Sequence, residues 1–289
     1  MNLRKLSLCI ALCILVFSKV CLSIEQATDD FEKGATFYEM SDYGQALIWF
    51  EKGAASGDSN SQHKLGYMNS LGLGVNRNIN LANQWYLKAA EQGNSESQYN
   101  LGLNYLTGLG VAKDEQLARF WWKKAANQGN TTAQFAMGNL YLHGSGVAKS
   151  EELKIHWWKI AANQGYAKAQ YNLGVLFENG QGVKKDNTQA VAWYMKSAEQ
   201  GDLEAQNNLG VMYFLGKGVA KDENIAAEYY LKSANQGYAR AQFNLGTLYL
   251  FGRGVSKDLK KAKYWIKYSK DQNYNKAVDR WEKYQLWKY

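Results

Sequence analysis

The 289 residues of this chain include 34 lysines and arginines and 26 acidic residues, which gives a formal net charge of +8. All three cysteines, Cys9, Cys13 and Cys21, lie near the N-terminus, and the chain has no proline. From position 24 onward the composition therefore excludes a disulfide framework, a thiol nucleophile and a thiolate metal site.

The first 23 residues have the form of a secretory signal peptide. Arg4 and Lys5 precede an apolar run, Leu6–Phe17, that is too short to cross about 30 Å of hydrocarbon as a helix. Cys21 and Ser23 supply small side chains next to the predicted cleavage site. We expect cleavage after Ser23 and no membrane span in the mature protein. A lipid anchor on Cys21 and an uncleaved N-terminal anchor are the alternatives.

The remaining charge is unevenly distributed. Loss of Arg4, Lys5 and Lys19 with the signal peptide leaves 31 basic residues against 26 acidic ones, or +5. Lys257–Tyr289 contains 10 basic and 4 acidic residues, so this terminal segment carries +6 and the rest of the mature chain carries about −1. The sequence thus predicts a neutral body with a basic C-terminal end.

Ile24–Asp58 is predicted to form a short helical hairpin. Apolar and aromatic residues recur in it at helical spacing, and only Ser41 and Asp42 separate the two predicted helices.

From position 59 onward the sequence consists of variants of one block of 36 residues, best represented by Ser95–Asn130. A period of this length predicts a solenoid of stacked units. The units are Ser59–Asn94, Ser95–Asn130, Thr131–Tyr166, Ala167–Asp202, Leu203–Tyr238 and Ala239–Tyr274. A glutamine recurs at Gln62, Gln98, Gln134, Gln170, Gln206 and Gln242, and a glycine recurs four residues after each of them.

The first half of each unit is predicted to be a helix, helix A. Ser97, Leu101 and Tyr105 fall on one stripe of this helix. Gly102 lies inside it, where glycine is less favourable than alanine by about 1 kcal/mol, so we expect a second helix to approach closely at this point. Gly108 is predicted to end helix A with a positive φ angle.

The second half is predicted to be helix B, which begins after the N-cap residue Asp114 and ends at Gly129. Its predicted buried face comprises Leu117, Ala118, Trp121 and Ala125. We expect Trp121 to pack in the core of the hairpin and its neighbour Trp122 to pack between hairpins.

The units share the pattern AxAQxxLGxxYxxGxGVxxDxxxAxxWWxxAAxQG, which resembles the Sel1-like repeat, a relative of the tetratricopeptide repeat, over about Ser59–Tyr274. This resemblance implies an all-α fold, a right-handed superhelical solenoid of helical hairpins. Ile24–Asp58 then resembles a tetratricopeptide-type hairpin, and Asn275–Tyr289 is predicted to be a capping helix that covers the last repeat. The chain most resembles bacterial exported members, which implies the periplasm or secretion.

The resemblance also implies that helix A lines a concave groove, with the residues that point away from helix B exposed in it. These candidate partner-binding residues are Lys64, Tyr67, Asn100, Leu103, Asn139, His143, Asn172, Val175, Asn179, Asn208, Val211, Asn244, Thr247 and Phe251. The row of asparagines among them is suited to hydrogen bonding the amides of an extended peptide. The alternative is that each asparagine braces helix A against the loop of the neighbouring repeat.

The three histidines, His63, His143 and His156, fall at unrelated repeat positions without metal-ligand spacing. His63 occupies the position of Tyr99 and Phe135 in other units, so we interpret it as a substituted aromatic residue rather than a ligand. No catalytic, cofactor-binding or metal-binding residues are predicted.

The sequence therefore predicts an exported, monomeric, non-enzymatic scaffold that binds a protein or extended peptide in the groove. One alternative is an enzyme acting on cell-wall material or β-lactams, an activity proposed for some cysteine-rich relatives, from which this sequence departs because it lacks their cysteine pairs. Another is a protein that binds an anionic envelope polymer through its basic C-terminal cap. The charges of this cap are Lys260, Lys261, Lys263, Lys267, Lys270, Arg280, Lys283 and Lys288, beside Tyr264, Tyr268, Trp281 and Trp287. Nucleic acid is not expected as a partner, because an exported protein rarely meets it.

Overall fold

The computed structural model describes Gln26 and residues 28–289. The predicted signal peptide, its cleavage after Ser23 and all three cysteines lie outside the described residues.

Within this part of the chain the fold is all-α, with fifteen α-helices, one short 3₁₀ helix and no strand. The helices are α1 (28–39), α2 (Tyr43–Ala55), α3 (Ser59–Leu71), α4 (Ile79–Glu91), α5 (Ser95–Thr107), α6 (Glu115–Asn127), α7 (Thr131–His143), α8 (Glu151–Asn163), α9 (Ala167–Asn179), α10 (Asn187–Glu199), α11 (Leu203–Leu215), α12 (Glu223–Asn235), α13 (Ala239–Phe251), α14 (Leu259–Asp271) and α15 (Asn275–Lys283), followed by the 3₁₀ turn Leu286–Lys288. From α3 to α14 the odd-numbered helices are helix A of a repeat and the even-numbered ones are helix B.

The helices fall into two compact units. Unit 1 contains the described residues up to Ala148, with α1 to α7, and unit 2 is Lys149–Tyr289, with α8 to α15. Within each unit, consecutive helices pack against one another, so the hairpins are stacked in sequence order.

The predicted helix boundaries are confirmed at both ends. The Asp114 carboxylate accepts hydrogen bonds from the backbone N–H groups of Gln116 and Leu117 and caps α6, and its counterparts cap the other B helices of the repeats. Gly108 ends α5 with φ +72°, and Gly129 follows α6 with φ +92°. Local sequence therefore sets where each helix of the hairpin starts and stops.

The glycine inside helix A marks the closest approach within a hairpin. A Cβ atom built on Gly102 would lie 2.5 Å from the indole ring of Trp122, which is only 4% exposed. The ring is held in place because its Nε1–H donates a hydrogen bond to the carbonyl oxygen of Tyr99 at 2.9 Å. The same contact recurs between Gly66 and Tyr86, Gly174 and Tyr194, and Gly210 and Tyr230. The predicted close approach is thus confirmed, and its cause is a ring lying on the glycine.

Both paired tryptophans are buried, but the predicted assignment of one to the interior of the hairpin and the other to the space between hairpins is wrong. Trp122 is the residue that lies against the glycine of its own hairpin. Trp121 is also buried, at 7% exposure, but its core cluster includes Tyr86 and Ala90 of the preceding hairpin. Its equivalent Trp85 is half-buried and likewise packs toward the preceding hairpin. Leu117, predicted to be buried, is 38% exposed. These errors have one origin, since neighbouring positions on a helix differ by only about 100° and the sequence pattern did not decide between them.

The recurrent glutamines tie successive hairpins together. The Gln98 side chain, 3% exposed, donates to the carbonyl oxygen of Ala90 at the end of α4 and accepts from Gln128 at the end of α6. Gln62, Gln170, Gln206 and Gln242 make the same two bonds. A buried amide with both partners in place is stabilising, whereas leaving either partner unsatisfied costs about 1 to 3 kcal/mol.

The apolar core lies mainly between hairpins. In unit 2, Ala190 and Tyr194 of α10 pack with Leu209 and Met212 of α11, which belongs to the next hairpin. A single hairpin therefore cannot bury its apolar surface alone.

The last helix, α15, packs on the core of unit 2. Ala277, Trp281 and Leu286 are buried against Ile266 of α14 and Phe243 of α13. None of the helices in the described part of the chain combines the length and the apolar character needed to cross a bilayer.

We predict that Gly102→Ala lowers the free energy of unfolding by about 1 to 3 kcal/mol, because the added methyl group overlaps the pinned Trp122 ring. Gly44→Ala is the matched control, since its Cβ would have no neighbour closer than 3.8 Å and the residue is helical. Urea unfolding followed by circular dichroism measures both. Equal effects of the two substitutions would contradict the ring contact.

Candidate partner-binding face

The structure places the candidate residues of unit 2 on three A helices. Asn172, Val175 and Asn179 lie on α9, Asn208 and Val211 on α11, and Asn244, Thr247 and Phe251 on α13. All eight are half-buried or exposed. We call this set of residues the unit 2 face.

Asn172 is one of two asparagines of the unit 2 face, with Asn179, whose side chain makes no hydrogen bond within residues 28–289. The Asn172 side chain is half-buried. An asparagine amide offers two donors and one carbonyl acceptor, the same groups that a peptide backbone presents. The Asn172 amide therefore has all of its hydrogen-bonding capacity available for a partner.

Asn208 and Asn244 belong to a side-chain network. The Asn244 Nδ2 group donates to Asn207 Oδ1 at 3.0 Å, and Asn207 Nδ2 is 3.3 Å from Asn208 Oδ1. Asn208 is also hydrogen-bonded to the Tyr194 hydroxyl, which donates to Glu178 Oε2 at 2.8 Å. The network links α9, α10, α11 and α13, so these two asparagines connect neighbouring hairpins through helices rather than through loops.

Burial is the main reason why the pKa of Tyr194 is raised above its usual value, and the neighbouring Glu178 carboxylate raises it further. The phenol therefore stays protonated and remains a hydrogen-bond donor to Glu178. Neither Glu178 nor Asn207 was among the predicted site residues. Their signal in the sequence is weak, because the network depends on the rotation of one hairpin relative to the next.

Apolar residues of the unit 2 face are partly exposed. Val175 and Val211 pack with one side against the clusters between hairpins. Phe251 is 45% exposed, and the Thr247 hydroxyl is buried without a hydrogen-bond partner in the described part of the chain. The face thus combines amides with apolar area.

The candidate residues of unit 1 form a second set. Lys64 holds its ammonium group 5.0 Å from the centroid of the Tyr38 ring, and Tyr67 and Leu103 are each 38% exposed. The Asn100 side chain, like that of Asn172, makes no hydrogen bond within residues 28–289. The two remaining candidates of unit 1 are Asn139, which is half-buried, and His143, which is exposed.

His63 is a substituted aromatic residue, as predicted. Its ring packs on Tyr86 with the centroids 5.8 Å apart, and its Nδ1 lies 2.9 Å from Ser97 Oγ in the next hairpin. Burial, and to a lesser extent the positive charge of Lys64, lowers the pKa of His63 to about 4. The imidazole is therefore neutral at physiological pH.

Among residues 28–289, no three His, Cys, Asp or Glu side chains come together as a group that could hold a metal ion. His156 is exposed, and its ring packs edge-on against Trp157.

The stacked helix A and helix B hairpins, with glycine against a ring and the glutamine bonds between repeats, define an all-α helical-hairpin solenoid. The Sel1 repeat model matches seven segments, at residues 31–58, 59–94, 95–130, 131–166, 167–202, 203–238 and 239–278. The chain belongs to the Sel1 repeat family.

Solved structures agree with this assignment. A protective antigen present in uropathogenic Escherichia coli strains, which displays an SLR fold, is 38% identical with a TM-score of 0.77 over 87% of this chain. A Sel1 repeat protein from Oxalobacter formigenes is 36% identical with a TM-score of 0.73, over 83% of this chain and 96% of its own. This chain spans only 55% of the length of the E. coli antigen. No curated protein matches the sequence.

We predict that acidification destabilises the protein in part through His63. Its folded pKa of about 4 lies below the unfolded value of 6.5, so between these limits the unfolded chain binds a proton that the folded chain does not. The contribution of neutral His63 to the free energy of unfolding is fully present above about pH 6.5. It falls by about 2 to 3 kcal/mol as the pH approaches 4. Urea unfolding at pH 7 and at about pH 4.5 should show a smaller loss for His63→Phe than for the unchanged protein. Identical losses would contradict the assignment.

Proposed function

We propose that this chain is an exported, non-enzymatic scaffold that binds a partner polypeptide along the unit 2 face. The family supports the general part of this proposal, because Sel1 repeat proteins are generally protein-interaction scaffolds. Binding along the unit 2 face is proposed from one observation: the Asn172 side-chain amide is half-buried and makes no hydrogen bond within residues 28–289.

The unit 2 face offers the groups that an extended chain needs. The Asn172 amide has both N–H donors and its carbonyl acceptor unused. Asn244 donates one hydrogen bond to Asn207, so its carbonyl oxygen and its second N–H are unused. Val175, Val211 and Phe251 provide apolar area for the side chains of the bound segment. Main-chain hydrogen bonds then contribute affinity, and the apolar contacts contribute selectivity.

Export is proposed from the first 23 residues alone. Basic residues, a short apolar run and small side chains at the end of the segment are typical of a cleaved signal peptide. A chain without cysteine after cleavage is also independent of the redox state of its compartment.

We predict that Asn172→Ala abolishes capture of the partner from envelope extract while the free energy of unfolding changes by less than about 0.5 kcal/mol. Asn235→Ala is the matched control, because Asn235 is exposed at the end of α12 and is not part of the face. A photoreactive amino acid in place of Asn179 should cross-link to the captured polypeptide, and one in place of Asn235 should not.

Asn208→Ala serves as the comparison for an asparagine that braces neighbouring hairpins. Because it removes a partner of Tyr194 and Asn207, we expect it to lower the free energy of unfolding by about 1 kcal/mol. If Asn172→Ala destabilises the protein as much as Asn208→Ala does, or if cross-linking is equal at the two sites, the proposed binding face is wrong.

The proposed export predicts a mature protein that begins at Ile24. Expression of the full chain in a bacterial host, followed by mass spectrometry of the protein from the periplasm and the medium, measures this N-terminus. An intact N-terminus in the cytoplasm would contradict export, and a lipid on Cys21 would support the anchored alternative instead.

A further inference from the structure

In the 36-residue register of the asparagines on the unit 2 face, the position after the last asparagine is an arginine. Asn172, Asn208 and Asn244 follow one another at intervals of 36 residues, and the next position in this register is Arg280 on α15. The helix A row therefore changes from neutral amides to a guanidinium group at its last member.

Three aromatic rings hold the Arg280 guanidinium group. Its Cζ atom lies 5.1 Å from the ring centroid of Phe243, 5.5 Å from that of Phe251 and 5.7 Å from that of Tyr284. Attraction to the ring faces fixes the orientation of a cation without using its N–H groups. Within residues 28–289 the Arg280 side chain forms no ion pair and donates no hydrogen bond. Its five N–H donors are therefore available in a fixed geometry.

Arg280 lines a cavity of about 440 Å³ at the end of the unit 2 face. The other lining residues are Phe243, Lys276, Asp279, Lys283 and Tyr284. Lys276 and Lys283 are exposed and form no ion pair with any residue in the described part of the chain. Three cations against the single carboxylate of Asp279 leave an excess of two positive charges in this cavity.

We infer that this cavity binds an acidic segment of the partner polypeptide, with an Asp or Glu carboxylate on Arg280. The inference rests on the proposed function and specifies the chemistry of the partner. Guanidinium and carboxylate groups pair through two parallel N–H···O bonds, which an oriented arginine makes at a small entropic cost. An excess of two positive charges matches two acidic side chains better than a single chain-terminal carboxylate.

A peptide titration tests this inference with the full chain. The probe is a fluorescent, C-terminally amidated peptide with several glutamates in a serine and glycine background, and fluorescence anisotropy reports its binding. The comparison peptides are the glutamine equivalent and the glutamine equivalent with a free carboxyl terminus. We expect the glutamate peptide to bind about tenfold or more tightly than both, with an affinity that falls as salt is added.

Matched variants locate the binding site. Lys276→Gln with Lys283→Gln removes two charges from the cavity, whereas Lys260→Gln with Lys288→Gln removes two from exposed positions that do not line the cavity. The first pair should weaken binding about tenfold and the second less than about threefold. Arg280→Gln should weaken it further, and Arg280→Lys should recover only part of the loss, because lysine lacks the planar fork.

Four outcomes would overturn the inference. Equal losses for the two double variants would show general attraction to a basic segment, and tight binding of the glutamine peptide with a free terminus would show a site for a chain end. If the glutamate and glutamine peptides bind equally and Asn172→Ala abolishes both, the acidic-segment inference fails while the proposed function stands. If neither peptide binds and Asn172→Ala leaves capture of the partner unchanged, both fail.

Discussion

The contact between a helix A glycine and a helix B ring is the constraint on which the rest of the structure depends. At Gly102 the absence of a side chain lets the Trp122 ring lie against the backbone, and the indole hydrogen bond to Tyr99 prevents the ring from turning away. Glycine inside a helix costs about 1 kcal/mol, which the buried ring offsets through its apolar area and packing. The contact fixes the rotation of helix A, so it also decides which side chains of that helix remain accessible.

A second constraint acts between hairpins. The glutamine at the position of Gln98 joins the end of the preceding helix B to the end of its own helix B, in a buried position where an unpaired amide is costly. Glycine thus sets the geometry within a hairpin, and glutamine sets the register between hairpins. Because both lie on the buried side of helix A, residues on the other side are free to vary without loss of the fold. This separation allows one scaffold to carry different binding surfaces.

The sequence predicted the features whose causes are local. The caps at Asp114, the left-handed turn at Gly108 and the close approach at Gly102 each depend on residues near one another in the chain. It did not predict that Trp122 rather than Trp121 lies against the glycine of its own hairpin, because the two differ by one step of helical rotation and both are aromatic. The network through Asn207 was also missed, since its partners come from four helices and meet only when adjacent hairpins have their final relative rotation.

The division among the asparagines has a physical consequence for binding. Asn208 and Asn244 are held by their neighbours, so the part of the unit 2 face next to Arg280 is ordered before any partner arrives. Groups that are already ordered lose less conformational entropy on binding, which increases affinity for the same contacts. Asn172 lacks these bonds, so in the proposed complex its amide is ordered by the partner itself. In the proposed complex, bracing and binding are therefore not exclusive roles for one row of side chains, because the braced asparagines lower the entropic cost of the contacts that Asn172 and Asn179 complete.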